Sequence, residues 1–147
     1  MKHLLKLENL PRADFDQILR DTAVFKRERG QPQRQPLAGQ TWALMFSKQS
    51  TRTRLSFEVG ISELGGRPMF LSAVDIQLGR GEPIKDTARV MGRMVHGAVI
   101  RTFAQHDVEE FARFSGSAIN LECLVSREAF WSLKNGAANH LEIRDFS

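Results

Sequence analysis

The chain has 147 residues, 41% of them hydrophobic and 26% charged, which is the composition of one folded globular domain and excludes a disordered chain. The net charge is +4, but the basic residues are spread along the chain instead of forming a stripe with interleaved aromatic residues, which argues against a nucleic-acid-binding protein. A single cysteine excludes an internal disulfide and a cysteine-rich zinc site. The lack of a signal-peptide core or a membrane-length apolar stretch predicts a cytoplasmic protein that does not enter a membrane.

The sequence predicts helices that alternate with strands. In chain order we expect a helix over 11–29, a surface connection over 31–40, a strand over 42–46, a helix over 50–64, a strand over 68–71, a polar glycine-bearing loop over 72–81, a helix over 83–94, a strand over 97–100, a helix from 107 and a strand over 117–120. The longer strands are uninterrupted apolar runs, as in a sheet that is covered on both faces. The helices carry apolar residues at helical spacing.

Three of these helices rest on particular residues. Residues 55–61 alternate between apolar and polar, which also suits a strand, but Gly65 supplies a helix stop and the polar residues before 55 supply caps, so we favour a helix. Asp107 followed by Glu110 has the form of a capping box and predicts that a helix begins there. The helix after Pro83 is expected to bury an apolar stripe made of Ile84, Ala88, Met91 and Met94.

This alternation predicts an α/β fold, a three-layer domain with a central parallel sheet of about four strands flanked by helices. In such sheets ligands bind beyond the carboxyl ends of the strands. Three polar features fall at that edge: the segment 50–54, the loop that carries Gln77, and Arg101. We expect them to form one site.

The segment 50–54, Ser-Thr-Arg-Thr-Arg, predicts an anion site. The start of a helix offers backbone N–H groups that lack partners within the helix, together with the positive end of the helix dipole, and here hydroxyl and guanidinium groups accompany them. From the residues alone a second interpretation stays open, in which Ser50 and the threonines are ordinary caps and the arginines face solvent. Likewise, Arg101 could be a strand-end arginine paired with a helix carboxylate, and Gln77 a solvated loop side chain.

Two segments resemble a known family. Residues 46–58 resemble the carbamoyl-phosphate signature of the aspartate and ornithine carbamoyltransferases, and residues 77–90 resemble the next block of the ornithine enzymes. Gln77 stands where the aspartate enzymes carry a lysine, which favours the ornithine type. The resemblance runs from about residue 4 to residue 120 and implies a carbamoyl-phosphate-binding domain over residues 1–120.

The resemblance implies a role for each matching residue. The residues implied to bind the phosphate of carbamoyl phosphate are Ser50, Thr51, Arg52 and Thr53. Arg101 is implied to contact the carbamoyl and phosphate oxygens, Gln77 to reach into the active site of the neighbouring subunit of a homotrimer, and Arg52 and Arg101 to be catalytic. The implied reaction transfers the carbamoyl group to the side-chain amine of L-ornithine, gives citrulline and phosphate in arginine biosynthesis, and uses no metal or cofactor.

Other charged residues are interpreted as structural. Lys48, Arg54 and Arg80 are expected to be structural or rim charges. Asp86 and Arg89 lie one helical turn apart and are expected to pair on the helix surface.

The resemblance ends after residue 120. Residues 121–147 form an atypical tail, in which we expect a short helix around Trp131 and in which Cys123 is not the family's active-site cysteine. The His-Pro-x-Gln, Ser-Met-Gly and His-Cys-Leu-Pro segments with which the second domain of the family completes the site do not occur in the sequence. We therefore expect this chain alone to be inactive. Two alternatives stay open: an inactive anion-binding or oligomerisation module, and a carbamoyltransferase for another amine.

Overall fold

A parallel sheet forms the centre of the fold. The structure is a computed structural model that describes residues 3–6, 9–29, 35–47, 51–72, 83–102 and 104–116 and the backbone of 120–123. The strands are β1 (His3–Leu4), β2 (Thr41–Phe46), β3 (Arg67–Ser72), β4 (Gly97–Arg101) and β5 (Asn120–Cys123). The helices are α1 (Arg12–Arg27), α2 (Thr51–Glu63), α3 (Ile84–Met94) and α4 (Gln105–Phe114). Within the described residues the strands form one five-stranded sheet in the order β1-β5-β4-β2-β3, with every pair parallel.

The sheet is covered on both faces because successive residues of its central strands are buried on opposite sides. The first face packs against α3 and α4, and its core contains Ala43, Met45, Ala88, Met91, Val95, Ala98, Ile100, Val108, Phe111 and Ala112. The second face packs against α2, and its core contains Trp42, Leu44, Phe46, Ile61 and Val99. Residues 42–46 of β2 therefore bury every side chain, which explains their uninterrupted apolar run.

The α/β class, the parallel sheet and most of the predicted elements are confirmed. The helices expected over 11–29, 50–64 and 83–94 and the strands expected over 42–46, 68–71 and 97–100 are all present. Gly65 follows α2 with a φ of 87°, in the left-handed region where a helix stop favours glycine. Lys48, Arg80 and the predicted tail helix lie outside the described residues, as does the predicted loop 72–81 except for Ser72, which ends β3.

The sheet differs from the prediction at one side. It contains β1, a two-residue strand that the expected four strands did not include, because two residues carry no readable alternation. The strand expected over 117–120 overlaps the observed β5, Asn120–Cys123, at Asn120. Residues 117–119 lie outside the described part of the chain, and the strand extends past residue 120, where the predicted domain ends.

Two predictions about helices are wrong. α4 begins at Gln105, before the expected capping box, so Asp107 lies inside its first turn and is not its cap; the Asp107 Oδ2 atom instead accepts a hydrogen bond from the Thr102 hydroxyl at 2.9 Å. Met94 is 71% exposed instead of lying in the apolar stripe of α3. Val95, which lies one turn after Met91, takes that buried position and is only 6% exposed.

α1 packs less deeply than the other helices. It has no buried residue, and its apolar residues Ile18 and Leu19 are 40% and 43% exposed. Past its end an ion pair joins the Arg29 Nε atom to the Glu63 Oε1 atom at 3.0 Å, which links α1 to the end of α2. None of the helices in the described ranges is long and apolar enough to cross a membrane.

α3 and α4 approach each other closely at Gly92. A methyl group added to Gly92 would overlap the backbone carbonyl of Ser115, the residue that follows α4. Gly60 of α2 lies in open space instead, with no neighbouring atom within 4 Å of an added methyl group. The two helical glycines therefore differ in their tolerance of a side chain.

We predict that Gly92→Ala lowers the free energy of unfolding by about 1 to 3 kcal/mol, because the two helices must move apart. The matched control is Gly60→Ala, which should raise the free energy of unfolding by about 0.5 to 1 kcal/mol, because alanine favours the helix more than glycine does. Urea unfolding followed by circular dichroism measures both. Similar effects of the two substitutions would contradict the close contact between α3 and α4.

The two residues that follow β1, Leu5 and Lys6, form polar contacts with α4. The Lys6 Nζ atom lies 2.9 Å from the Glu109 Oε1 atom, and the Gln105 Nε2 atom donates a hydrogen bond to the Leu5 carbonyl oxygen at 3.0 Å. The hydrogen bond from Lys6 is the main reason why the pKa of Glu109 is lowered from its ordinary value. The pair therefore stabilises the folded chain above the ordinary pKa of a glutamate, and this contribution disappears as the pH falls through the lowered pKa.

We predict that Lys6→Met returns the pKa of the Glu109 carboxyl toward its ordinary value, because the substitution removes the main cause of the shift. NMR titration of the Glu109 side chain in the parent and in the variant measures the change. Arg12→Met, which breaks an exposed ion pair on α1, is the control and should leave the Glu109 titration unchanged. An unchanged Glu109 titration in Lys6→Met would show that Lys6 does not hold the carboxylate.

Candidate functional site

The carboxyl ends of β2 and β4 meet at one edge of the sheet. Phe46 is the register partner of Arg101, and the backbone N–H of Ser47, just past β2, donates a hydrogen bond to the Arg101 carbonyl oxygen at 2.8 Å. The backbone of Arg101 is therefore fixed against the end of β2. Parallel α/β sheets place their ligands at this edge.

The first turn of α2 lies against the same edge. The Arg101 Nη1 atom donates a hydrogen bond to the Thr53 Oγ1 atom across 3.4 Å, although the two residues are 48 positions apart in the chain. Both side chains are half-buried, whereas Thr51 and Arg52 are exposed. The structure thus brings Thr53 to Arg101, and Thr51 and Arg52 precede Thr53 in the same turn of α2.

Within the described residues, the positive charge at this place has no acidic partner. The first turn of α2 has no acidic residue, so the positive end of its dipole has no internal counter-charge. Among the described residues no carboxylate forms an ion pair with Arg52 or Arg101, so the interpretation of Arg101 as the partner of a helix carboxylate finds no support there. Hydroxyl groups, two guanidinium groups and a helix start form a suitable set of donors for a small oxyanion.

Arg54 belongs to the same turn of α2 but faces a different partner. Its Cζ atom lies 3.6 Å from the centroid of the Phe70 ring, and its Nε atom lies 3.1 Å from the Glu58 Oε2 atom. The Phe70 ring also contacts the Phe46 ring, with 5.9 Å between the centroids. The guanidinium of Arg54 thus joins the first turn of α2 to β3, which agrees with its interpretation as a structural charge.

Two of the predicted site residues, Ser50 and Gln77, lie outside the described residues. The predicted surface pair of α3 is confirmed, with the Arg89 Nη1 atom 2.9 Å from the Asp86 Oδ1 atom. Within the described ranges no three histidine, cysteine, aspartate or glutamate side chains are grouped as a metal site would require.

One contact beside the site was not predicted. Thr102 follows Arg101 directly, and its hydroxyl donates the hydrogen bond to Asp107 of α4. The sequence signal for it is a threonine followed by an aspartate five positions later, and the capping-box interpretation of Asp107 concealed this signal.

Comparison with known proteins identifies relatives of the chain. Residues 2–126 match the family model for the carbamoyl-P binding domain of aspartate/ornithine carbamoyltransferase. The ornithine carbamoyltransferase of Akkermansia muciniphila is 67% identical over 116 residues, which are 79% of this chain and 38% of that protein. The Campylobacter fetus ornithine carbamoyltransferase is 51% identical over 117 residues, again 79% of this chain and 38% of that protein. The chain thus spans 38% of the length of these relatives.

Solved structures resemble the fold over a similar share of this chain. Ornithine carbamoyltransferase from Burkholderia thailandensis superposes with a TM-score of 0.76 and 41% identity, over 84% of this chain and 42% of that one. The enzyme from Pyrococcus furiosus superposes with a TM-score of 0.76 and 39% identity, over 83% of this chain and 39% of that one. The similarity covers most of this chain and again only part of the larger proteins.

We predict that Arg54→Met lowers the free energy of unfolding by about 1 kcal/mol, because the guanidinium loses both the Phe70 ring and the Glu58 carboxylate. A double-mutant cycle with Phe70→Leu should give a coupling of about 0.5 to 1 kcal/mol in urea unfolding. The control is Arg12→Met, which breaks an ion pair of the same helical spacing with Asp16 but contacts no ring in the described structure, and it should cost at most about 0.5 kcal/mol. A coupling near zero would mean that the ring contact contributes nothing.

Proposed function

The chain belongs to the aspartate/ornithine carbamoyltransferase family, of which it carries the carbamoyl-phosphate-binding domain, and from this premise we propose that the edge of the sheet at β2 and β4 binds carbamoyl phosphate. The observation that carries the proposal is the contact between Arg101 and Thr53, because it unites the end of β4 and the start of α2 in one place. The helix start and two guanidinium groups without carboxylate partners in the described structure suit a doubly charged phosphate.

We propose the following division of roles. The hydroxyl groups of Ser50, Thr51 and Thr53, the guanidinium of Arg52 and the N–H groups at the start of α2 hold the phosphate group. Arg101 lies at the end of β4 beside Thr53 and bridges the carbamoyl oxygen and a phosphate oxygen. Gln77 reaches the site of a neighbouring subunit.

The proposed reaction transfers the carbamoyl group to an amine. A neutral amine nitrogen attacks the carbamoyl carbon, negative charge grows on the carbamoyl oxygen, and the bond to the phosphate oxygen then breaks while the nitrogen loses a proton. Positive donors that are fixed before the reaction stabilise both the carbamoyl oxygen and the departing phosphate, which is electrostatic preorganisation. Arg101 serves the first of these centres and Arg52 the second, and both residues are therefore proposed as catalytic.

L-ornithine is the proposed acceptor, and citrulline and phosphate are the proposed products. The support is that the relatives described above are named ornithine carbamoyltransferases. The matched region is 38% of their length, and we propose that the groups that bind the amine belong to the remainder. This chain would then supply the carbamoyl-phosphate-binding half of the reaction, as a step of arginine biosynthesis, and alone it would bind carbamoyl phosphate without forming citrulline.

We further propose that the chain assembles as a homotrimer in the cytoplasm. Exposed apolar side chains that another subunit would cover lie on α2, β3 and α3: Leu55, Met69, Val90 and Met94 are 58%, 42%, 50% and 71% exposed. Covering such side chains removes apolar surface from water and would favour association. The single cysteine suits a reducing compartment.

We predict that titration calorimetry with carbamoyl phosphate gives binding to the parent chain, with affinity lowered roughly tenfold to a hundredfold in both Arg52→Ala and Arg101→Ala. Each substitution removes a charged donor, and a hydrogen bond to a charged group contributes about 1.5 to 3 kcal/mol. Arg12→Ala, far along the chain on α1, is the matched control and should bind like the parent.

A parent chain that gives no heat with carbamoyl phosphate would refute the proposed site. A citrulline assay with carbamoyl phosphate and ornithine then separates binding from turnover: citrulline formation by this chain would refute the proposal that it supplies only one half of the reaction. If this chain forms no citrulline alone but citrulline forms when the remaining part of a relative is added, the proposed division of the reaction between two parts is supported.

A further inference from the structure

The turn between β4 and α4 is closed by one side-chain pair. The Thr102 hydroxyl donates to the Asp107 Oδ2 atom at 2.9 Å, and the other carboxylate oxygen of Asp107 lies 2.8 Å from the His106 Nε2 atom. Ala104, the residue before α4, provides no side-chain cap. Asp107 lies in the first turn of α4, where the helix dipole stabilises its negative charge.

Asp107 is held on a rigid element. Its neighbour Val108 is 1% exposed and packs with Phe111 in the core of the first face, beside Ile100 of β4. The backbone that carries the Asp107 carboxylate is therefore fixed, and the carboxylate holds Thr102 from a fixed position. A loop carboxylate would lack this support.

The residues around Arg101 are held from three sides. Side chains of successive strand residues point to opposite faces, so Arg101 shares the α2 face with Val99. Its carbonyl oxygen is held by the Ser47 N–H, its guanidinium reaches Thr53, and the residue after it is held by α4 through Thr102. The end of β4 is thus anchored to α4 just where Arg101 reaches toward α2.

We propose that the hydrogen bond between Thr102 and Asp107 is a positioning contact that holds the Arg101 guanidinium at the anion site. The inference rests on the proposed function of that site. Arg101 has a long side chain, so a small rotation of its backbone moves the guanidinium away from a ligand that needs an oriented pair of donors. Thr102 and Asp107 touch no ligand in this account and act only through Arg101.

The test compares substitutions that remove or keep the hydroxyl group. Thr102→Val keeps the shape of the side chain but loses the donor, and Thr102→Ser keeps the donor. Gln105→Met is the matched control, because it removes a hydrogen bond from the same turn of α4 to Leu5 near β1 instead of to the end of β4. Inorganic phosphate is the probe, titrated calorimetrically into the full chain, and thermal unfolding is recorded for each variant.

We expect Thr102→Val to lower phosphate affinity roughly tenfold, the effect of one hydrogen bond to a charged group. Thr102→Ser and Gln105→Met should bind like the parent, even where Gln105→Met lowers the melting temperature as much as Thr102→Val does. Unchanged affinity in Thr102→Val would overturn the inference, as would equal losses in Thr102→Ser or in Gln105→Met.

If the proposed function is wrong, the same experiments give a different result. If the parent chain binds neither phosphate nor carbamoyl phosphate, the proposed site is wrong, and the positioning contact is judged by hydrogen exchange at the Ser47 amide, which donates to the Arg101 carbonyl. Faster exchange in Thr102→Val than in both Thr102→Ser and Gln105→Met would still support the contact. Equal exchange in the three variants would overturn it.

Discussion

β2 and β4 pair in parallel from Trp42 opposite Gly97 to Phe46 opposite Arg101, and the candidate site depends on this register. A slip of one residue would turn the Arg101 side chain to the other face of the sheet, away from α2. The Trp42 ring resists that slip, because a methyl group on Gly97 would approach within 2.6 Å of it. Any residue other than glycine opposite Trp42 would have to displace the ring. A packing contact at the start of the two strands thus places an arginine at their end.

Arginines of the described structure differ in their partners rather than in their charge. Arg54 is engaged by an aromatic ring and a carboxylate, and Arg89 pairs with Asp86. In the described part of the chain, Arg52 and Arg101 have no carboxylate partner. Two guanidinium groups without a carboxylate partner in that part of the chain therefore contribute positive potential at one edge of the sheet.

The main elements could be predicted because buried strands and helix stops leave strong local signals. The run 42–46 and Gly65 are examples. β1 could not be predicted, since its two residues form a strand only by pairing with β5 from the far end of the chain. The start of α4 was misplaced because Asp107 and Glu110 have the form of a capping box, whereas the Asp107 carboxylate binds the Thr102 hydroxyl inside the first turn of the helix.

For the site, the rule for parallel sheets predicted that the helix start after β2 and the arginine after β4 would meet, and Thr53 and Arg101 do meet. Which arginine would be available could not be predicted in the same way. Arg52 and Arg54 occupy the same turn, and beside the Glu58 carboxylate it is the position of the Phe70 ring, on the strand next to β2, that distinguishes Arg54. That position follows from strand pairing and from side-chain rotamers, and neither is encoded in the local pattern.

Under the proposed function, a single domain supplies the donors that bind the phosphate of the substrate. The donors for the phosphate come from α2 and β4, whose positions are set by cores on the two faces of the same sheet. Affinity for the anion therefore needs no second domain, whereas turnover needs an amine held in line with the carbamoyl carbon, which is a matter of orientation rather than of charge. Binding and catalysis are then separable properties, and the contacts that hold Arg101 in place act on the first of them directly.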